Sequence, residues 1–156
     1  MSTLSAGMQV PDFELPDQDG RPVKLSAFRG SSPVVLFFYP KDHTWICSQE
    51  ARAFRDDYAQ FRAVGAQLFG ISDDSAESHC KFAGKNKLPY RLLSDKGGRV
   101  RKLFGVKKTL GVLPGRATFV IDQRGILLHV FSSQFEADAH VKEALQGLKA
   151  TLPSLR

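Results

Sequence analysis

Val34-Val-Leu-Phe-Phe-Tyr39-Pro40-Lys-Asp-His-Thr44-Trp-Ile-Cys47 is the stretch that decides how this chain folds. Its first six residues are apolar or aromatic without a break, the pattern of a strand covered on both faces. Pro40 has no N–H to give to a ladder and ends that strand. After Thr44 the pattern turns helical: Ala51, Phe54, Tyr58 and Phe61 recur at three- and four-residue spacing. Cys47 is therefore expected in the first turn of a helix that directly follows a buried strand. Backbone N–H groups there have no intrahelical partner, and the helix dipole is positive. A thiol so placed is biased toward the thiolate, its nucleophilic form.

The neighbouring segments alternate in the same way. Residues 12–15 and 23–25 flank Asp19-Gly20, which reads as a hairpin with a glycine turn. Residues 26–30 form a short turn or helical piece. The helix begun at Trp45 is expected to run to about Val64, with Gly65 as its C-cap. Residues 67–72 are a second buried strand. Ser72-Asp-Asp-Ser75 supplies N-cap chemistry for a helix through about Asn86, which Leu88-Pro89 ends. Residues 91–93 are a short strand and 98–104 a short helix. Residues 117–121 form a third long strand, and 122–125 turn into a strand at 126–131. Residues 136–148 close the chain as an amphipathic helix, with Ala139, Val141, Ala144, Leu145 and Leu148 facing inward. Pro114 fits a tight turn before the third strand, with a cis bond as one option. The alternation, with its terminal hairpin and helix, predicts an α/β sandwich. No linker, repeat or low-complexity segment divides it, so residues 1–156 are expected to form a single domain.

Composition narrows the function classes. The chain has 156 residues, 42% hydrophobic and 24% charged, ordinary values for a globular domain able to bury a core. No apolar run approaches the roughly 20 residues that span a bilayer. The first residues lack the charged and apolar regions of a signal peptide, which makes the cytoplasm the expected location. Two cysteines and no CxxC motif exclude a disulfide scaffold and thioredoxin-type dithiol chemistry. Of the net charge of +6, much clusters at Lys96, Arg99, Arg101, Lys102, Lys107 and Lys108. Val100, Leu103 and Phe104 fall at helical spacing within this cluster, so its charges are expected on a solvated helix face. Specific nucleic-acid binding is the rival reading of that stretch, but no aromatic interleaving supports it. The four histidines, at positions 43, 79, 129 and 140, show no metal spacing. Asp73-Asp74 reads as helix capping, and no phosphate-binding glycine loop is present. Neither a metal nor another cofactor is expected.

Four stretches along the chain carry a resemblance. Pro40-x-x-x-Thr44-x-x-Cys47 with Glu50 following looks like the active-site motif of the peroxiredoxins. Phe38-Tyr-Pro-Lys-Asp42 is similar to the version in the Q branch, also called bacterioferritin comigratory proteins. Pro11-Asp-Phe-Glu-Leu15 resembles the family's entry strand, and Ser78-His79 through Leu92-Leu-Ser-Asp95 its middle section. Gly115-Arg-Ala-Thr-Phe-Val-Ile-Asp122 resembles the strand bearing its active-site arginine. The resemblance implies a thioredoxin-like fold with an N-terminal β-hairpin extension, its central mixed sheet flanked by helices. It also implies reduction of hydrogen peroxide and organic hydroperoxides by a cysteine. Two positions depart from the pattern. Trp45 and Ile46 stand where small residues are common. Arg52 stands where many members carry a resolving cysteine.

Cleaving an O–O bond by in-line thiolate attack requires the thiolate itself and donors aimed at both oxygens. Cys47 is the candidate nucleophile; the competing reading is a buried, inert cysteine. Thr44 is expected to bond the thiolate or the peroxide, or simply to cap the helix. Arg116 would supply fixed positive charge to the sulfur and the leaving oxygen. Pro40 would wall the pocket and shield the sulfur, with Tyr39, Trp45 and Ile46 also at the pocket wall. The resemblance gives Glu50 the task of orienting a charged neighbour such as an arginine; a helix-dipole partner is the alternative.

The sulfenic acid formed on Cys47 must be reduced or it climbs the oxidation ladder. Cys80 is the only other thiol. Some members of the branch carry a resolving cysteine about one turn, roughly 5 Å, further along that helix, nearer Ala83 or Gly84. Cys80 is thus either a shifted resolving cysteine or a bystander. The expected protein is a monomeric or weakly dimeric thiol peroxidase, recycled by a thioredoxin, a glutaredoxin or a small thiol. The rival reading is a peroxide-reactive redox sensor or chaperone-like protein with poor turnover, prompted by Arg52.

Overall fold

The computed structural model describes residues 4–106, 115–133 and 137–149. The expectations for Pro114, Lys107, Lys108 and the Glu136 helix start lie outside the described residues. The described chain begins with a hairpin of β1 (Glu14–Pro16) and β2 (Pro22–Lys24), with Leu15 opposite Val23. A 3-10 turn at Leu25–Phe28 leads to β3 (Val34–Phe38). There follow α1 (Trp45–Asp56), α2 (Tyr58–Ala63), β4 (Gln67–Ser72), α3 (Ala76–Asn86) and β5 (Arg91–Ser94). Then come α4 (Arg99–Leu103), β6 (Ala117–Ile121), β7 (Leu127–Ser132) and α5 (Ala137–Lys149). Five strands form one sheet in the order β5-β4-β3-β6-β7. β3, β4 and β5 are parallel, β6 pairs antiparallel with β3, and β7 pairs antiparallel with β6. No helix among the described residues is long and apolar enough to cross a membrane.

The two-residue repeat of a strand divides the core. Val34, Leu36 and Phe38 face one layer with the N-terminal hairpin, Val100 and Phe104. Val35, Phe37 and Tyr39 face the other with α1, α2, α3 and α5, through Phe54, Phe61, Phe82 and Val141. Every residue of β3 is buried, as expected for a central strand.

Two expectations need correction. The helix from Trp45 to Val64 is two helices, because Asp57 leaves helical geometry at φ −103° and ψ 11°. Aspartate is a weak helix former, and here its carboxylate takes a hydrogen bond from Gln60 Nε2 at 3.2 Å. In α4, Val100 and Phe104 are buried but Leu103 is 43% exposed, while Arg101 is buried. At about 100° per residue, Arg101 and Leu103 flank the face shared by Val100 and Phe104 at equal angles, and Arg101 is the one drawn inward, by the Tyr39 and Gly115 carbonyls that accept from its guanidinium.

Candidate active site

α1 starts where β3 ends. Thr44 is extended (φ −85°, ψ 156°), and Ser48 N–H donates to its carbonyl at 2.9 Å, closing the first turn. Cys47, third in the helix, is 2% exposed and belongs to the helix-side core. Glu50 follows three residues later on the same helix face and is fully buried.

β6 brings in the cation. Ala117 pairs with Phe38, which sets Arg116 beside the chain leaving β3. Its guanidinium forks: Nη2 donates to Cys47 Sγ at 3.3 Å and Nη1 to Glu50 Oε1 at 2.6 Å. A planar guanidinium with one N–H held by a carboxylate has little freedom to turn the other away from the sulfur. Burial pushes the Glu50 carboxyl up to about 7, with the Arg116 guanidinium pulling the other way. For Arg116, burial opposes the charge, but Glu50 and Cys47 outweigh it and hold the guanidinium above its ordinary value.

A further side chain backs Glu50. His140 on α5 places Nδ1 3.5 Å from Glu50 Oε2 and 2.7 Å from Thr118 Oγ1. Its Nε2 lies 2.7 Å from the Ser133 carbonyl. A carbonyl only accepts, so Nε2 carries a hydrogen and Nδ1 faces Thr118 and Glu50.

The structure thus joins Cys47, Arg116 and Glu50 directly. Pro40 is half-buried directly after Tyr39, and Ile46 is half-buried beside Cys47. Tyr39 is buried, and its hydroxyl donates to Asp42 Oδ1 at 2.6 Å. Burial, with Asp42 beside it, pushes the Tyr39 phenol well above its ordinary value. Trp45 is 70% exposed. Thr44 is exposed, and its hydroxyl donates to the Lys41 carbonyl at 2.9 Å, so it caps no N–H of α1. Cys80 is exposed on α3, and both cysteines are free thiols.

Arg101 is the residue that the sequence reading misplaced among solvated charges. It is 8% exposed; Nη2 donates to the Tyr39 carbonyl and Nη1 to the Gly115 carbonyl, each at 2.9 Å. Its place on the helical wheel gave no signal, being as far from the Val100–Phe104 face as that of the exposed Leu103. Asp42 and His79 are also buried partners: His79 Nδ1 sits 2.7 Å from Asp42 Oδ2, and His79 Nε2 3.0 Å from the Leu93 carbonyl. Asp73 and Asp74 do not cap α3, a task that Ser75 performs by accepting from Ser78 N–H. Instead Asp73 accepts from Gly97 N–H, and Asp74 from Asp42 N–H and Ser72 Oγ. Asp42, Asp74 and His79 present ligand-type atoms within 4.8 Å of one another. Those atoms are engaged in these bonds, which a cation would have to displace.

Comparison with known proteins agrees with this geometry. Residues 6–130 match the AhpC/TSA family. The chain is 49% identical over 148 residues to the chloroplastic peroxiredoxin Q of Sedum lineare, covering 94% of this chain and 79% of that protein. It is also 49% identical over 148 residues to the chloroplastic peroxiredoxin Q of Arabidopsis thaliana, covering 94% and 68%. The crystal structure of peroxidoxin BcpB from Mycobacterium tuberculosis aligns with a TM-score of 0.85 at 47% identity, over 93% of this chain and 96% of that one. Xanthomonas campestris peroxiredoxin Q aligns with a TM-score of 0.84 at 28% identity, over 93% and 97%. A buried helix-start cysteine held by a carboxylate-braced arginine, on a sheet shared with these proteins, is a peroxidatic cysteine: the chain belongs to the AhpC/TSA family, in its peroxiredoxin Q branch, and is a thiol peroxidase.

Proposed function

We propose that this peroxidase reduces hydrogen peroxide and organic hydroperoxides and is recycled by an external thiol: thioredoxin, glutaredoxin or a small thiol. The observation that carries the first half is the Arg116 fork, 3.3 Å from Cys47 Sγ and anchored on Glu50. The thiolate attacks one peroxide oxygen, so an S–O bond forms as the O–O bond breaks. Sulfur is oxidised by two electrons to the sulfenic acid, the transferred oxygen keeping its hydrogen. The other oxygen leaves as hydroxide or alkoxide and takes a proton from solvent. Arg116 faces the negative charge as it moves from sulfur to the leaving oxygen. Pro40 is assigned the wall that keeps water from the sulfur, with Tyr39, Ile46 and Trp45 around the pocket. The exposed Thr44 hydroxyl is assigned a bond to the incoming peroxide. Two external thiols then return the sulfenic acid to the thiol, giving one disulfide and water.

Direct reduction is favoured over resolution by Cys80. Its chain neighbour His79 is fully buried and held by Asp42 and the Leu93 carbonyl, so α3 must loosen before Cys80 can approach Cys47. Intact mass after one equivalent of hydrogen peroxide, without reductant, separates the routes. Gain of oxygen on Cys47, with Cys80→Ser turning over normally, supports direct reduction. Loss of two hydrogens means a Cys47–Cys80 disulfide and a two-cysteine cycle. An unchanged mass sinks Cys47 as the reacting group. We further propose a monomer or weak homodimer in the cytoplasm, the chloroplast belonging to the names of the plant relatives. Sedimentation velocity and cell fractionation would reveal a stable higher oligomer or another compartment.

A further inference from the structure

Arg101 is a buried cation that meets only neutral acceptors. An arginine remains charged at any ordinary pH, and a buried charge requires compensation. Among the described residues no carboxylate stands within ion-pair distance of its guanidinium, which donates instead to the backbone carbonyls of Tyr39 and Gly115. Asp95 lies close, but its carboxylate accepts the backbone N–H groups of Val100 and Arg101 instead, holding α4 in place. The anions whose fields act on Arg101 are Asp95, Asp73 and Cys47, while burial pulls its guanidinium below the ordinary value. Arg116, the other guanidinium at the site, is occupied by Glu50 and the sulfur.

The two carbonyls are not arbitrary. Tyr39 immediately precedes Pro40, and Gly115 immediately precedes Arg116. They lie on paired chain ends, one leaving β3 and one entering β6, joined through the Phe38–Ala117 register. One planar group spanning both sets the distance between the Pro40 wall and the Arg116 peptide. We propose that Arg101 is a positioning residue of the peroxide reaction: its fork on the Tyr39 and Gly115 carbonyls holds the Pro40 and Arg116 segments together, and its charge favours the anion at Cys47. This rests on Cys47 being the reacting thiol.

The test is Arg101→Lys and Arg101→Gln, each checked by circular dichroism. Cys47 oxidation is followed in a single turnover through the fluorescence of Trp45, the sole tryptophan. Lysine keeps the charge but cannot fork. Glutamine removes the charge and keeps one donor group. The expected result is a loss of roughly tenfold in oxidation rate for Arg101→Lys and about a hundredfold for Arg101→Gln. The glutamine variant's pH–rate profile should also be displaced to higher pH. Folded Arg101→Gln reacting within about twofold of wild type at every pH would overturn the proposal. If neither variant folds, wild type decides: the Arg101 guanidinium NMR signals should move with pH in wild type and not in Cys47→Ser. Signals that behave alike in both proteins would overturn the charge coupling. Failure of the underlying reading looks different, because wild type itself would then show no oxidation of Cys47.

Discussion

At the scale of single residues, Glu50 both supports the site and strains it. It anchors Arg116 at 2.6 Å, yet its carboxylate is fully buried, with Arg116, Cys47, His140 and Tyr90 as the titratable groups around it. Burial raises it from 4.5 to about 7. The sign follows from linkage. Between these values the folded chain holds a proton that the unfolded chain has released, so stability falls as pH rises through that window. Glu50→Gln removes this titration. Urea unfolding at a series of pH values should show wild type losing stability relative to Glu50→Gln between pH 4.5 and about 7, with parallel curves above. A constant difference across the window would refute the raised carboxyl. The helix start marked Cys47 as a candidate, and the resemblance of the surrounding motifs to the peroxiredoxins made Cys47, Arg116 and Glu50 legible together. Arg101 and His140 were not, since their partners are carbonyls and side chains that only the fold brings near.

At the scale of elements, the loop before α1 is tied to α3 by one aspartate. Asp42 accepts from Tyr39 Oη at 2.6 Å and from Ser78 Oγ at 2.8 Å, and sits 2.7 Å from His79 Nδ1. All the ring and phenol partners are buried, so removing the acceptor leaves polar groups without compensation in a dry place. Asp42→Ala should cost about 3–5 kcal/mol of stability, measured by urea unfolding. Glu77→Ala, which breaks the exposed Glu77–Lys81 pair on the same helix, should change little. Equal effects from the two substitutions would mean that the network contributes nothing special. The elements themselves were largely readable. Hairpin, central strand, helix and capping serine all appear near their expected places. The pairing across 37 residues of sequence between Asp42 and His79 was invisible, because no periodicity within α3 singles out His79 for a polar partner. The break at Asp57 was missed because the apolar spacing of Ala51, Phe54, Tyr58 and Phe61 runs through it undisturbed.

At the scale of the whole molecule, the site depends on how closely layers stack at the sheet. α1 packs on β3 through Phe37 and Phe54, whose rings stack at 4.3 Å between centroids. Phe37 needs room, and β4 provides it with Gly70, its ladder partner. A methyl group at Gly70 would stand 2.8 Å from Phe37 Cζ and 2.8 Å from Leu92 Cδ2. The backbone at this glycine is ordinary strand, so alanine meets a packing obstacle and no conformational one. Phe37 and Leu92 are both fully buried, which leaves neither side chain open space to retreat into. Overpacking of this kind costs about 1–3 kcal/mol. The sequence showed a glycine within a strand, but which rings it admits depends on sheet order, which no local pattern encodes. Gly70→Ala should therefore lower the melting temperature by roughly 2–12 °C, at about 2–4 °C per kcal/mol for a chain of this size. Gly84→Ala provides the control, since a methyl group there meets nothing within 4 Å and α3 should gain helix propensity. If Gly70→Ala melted at or above the wild-type temperature, the close stacking of β4 against Phe37 would not be what holds α1 in position.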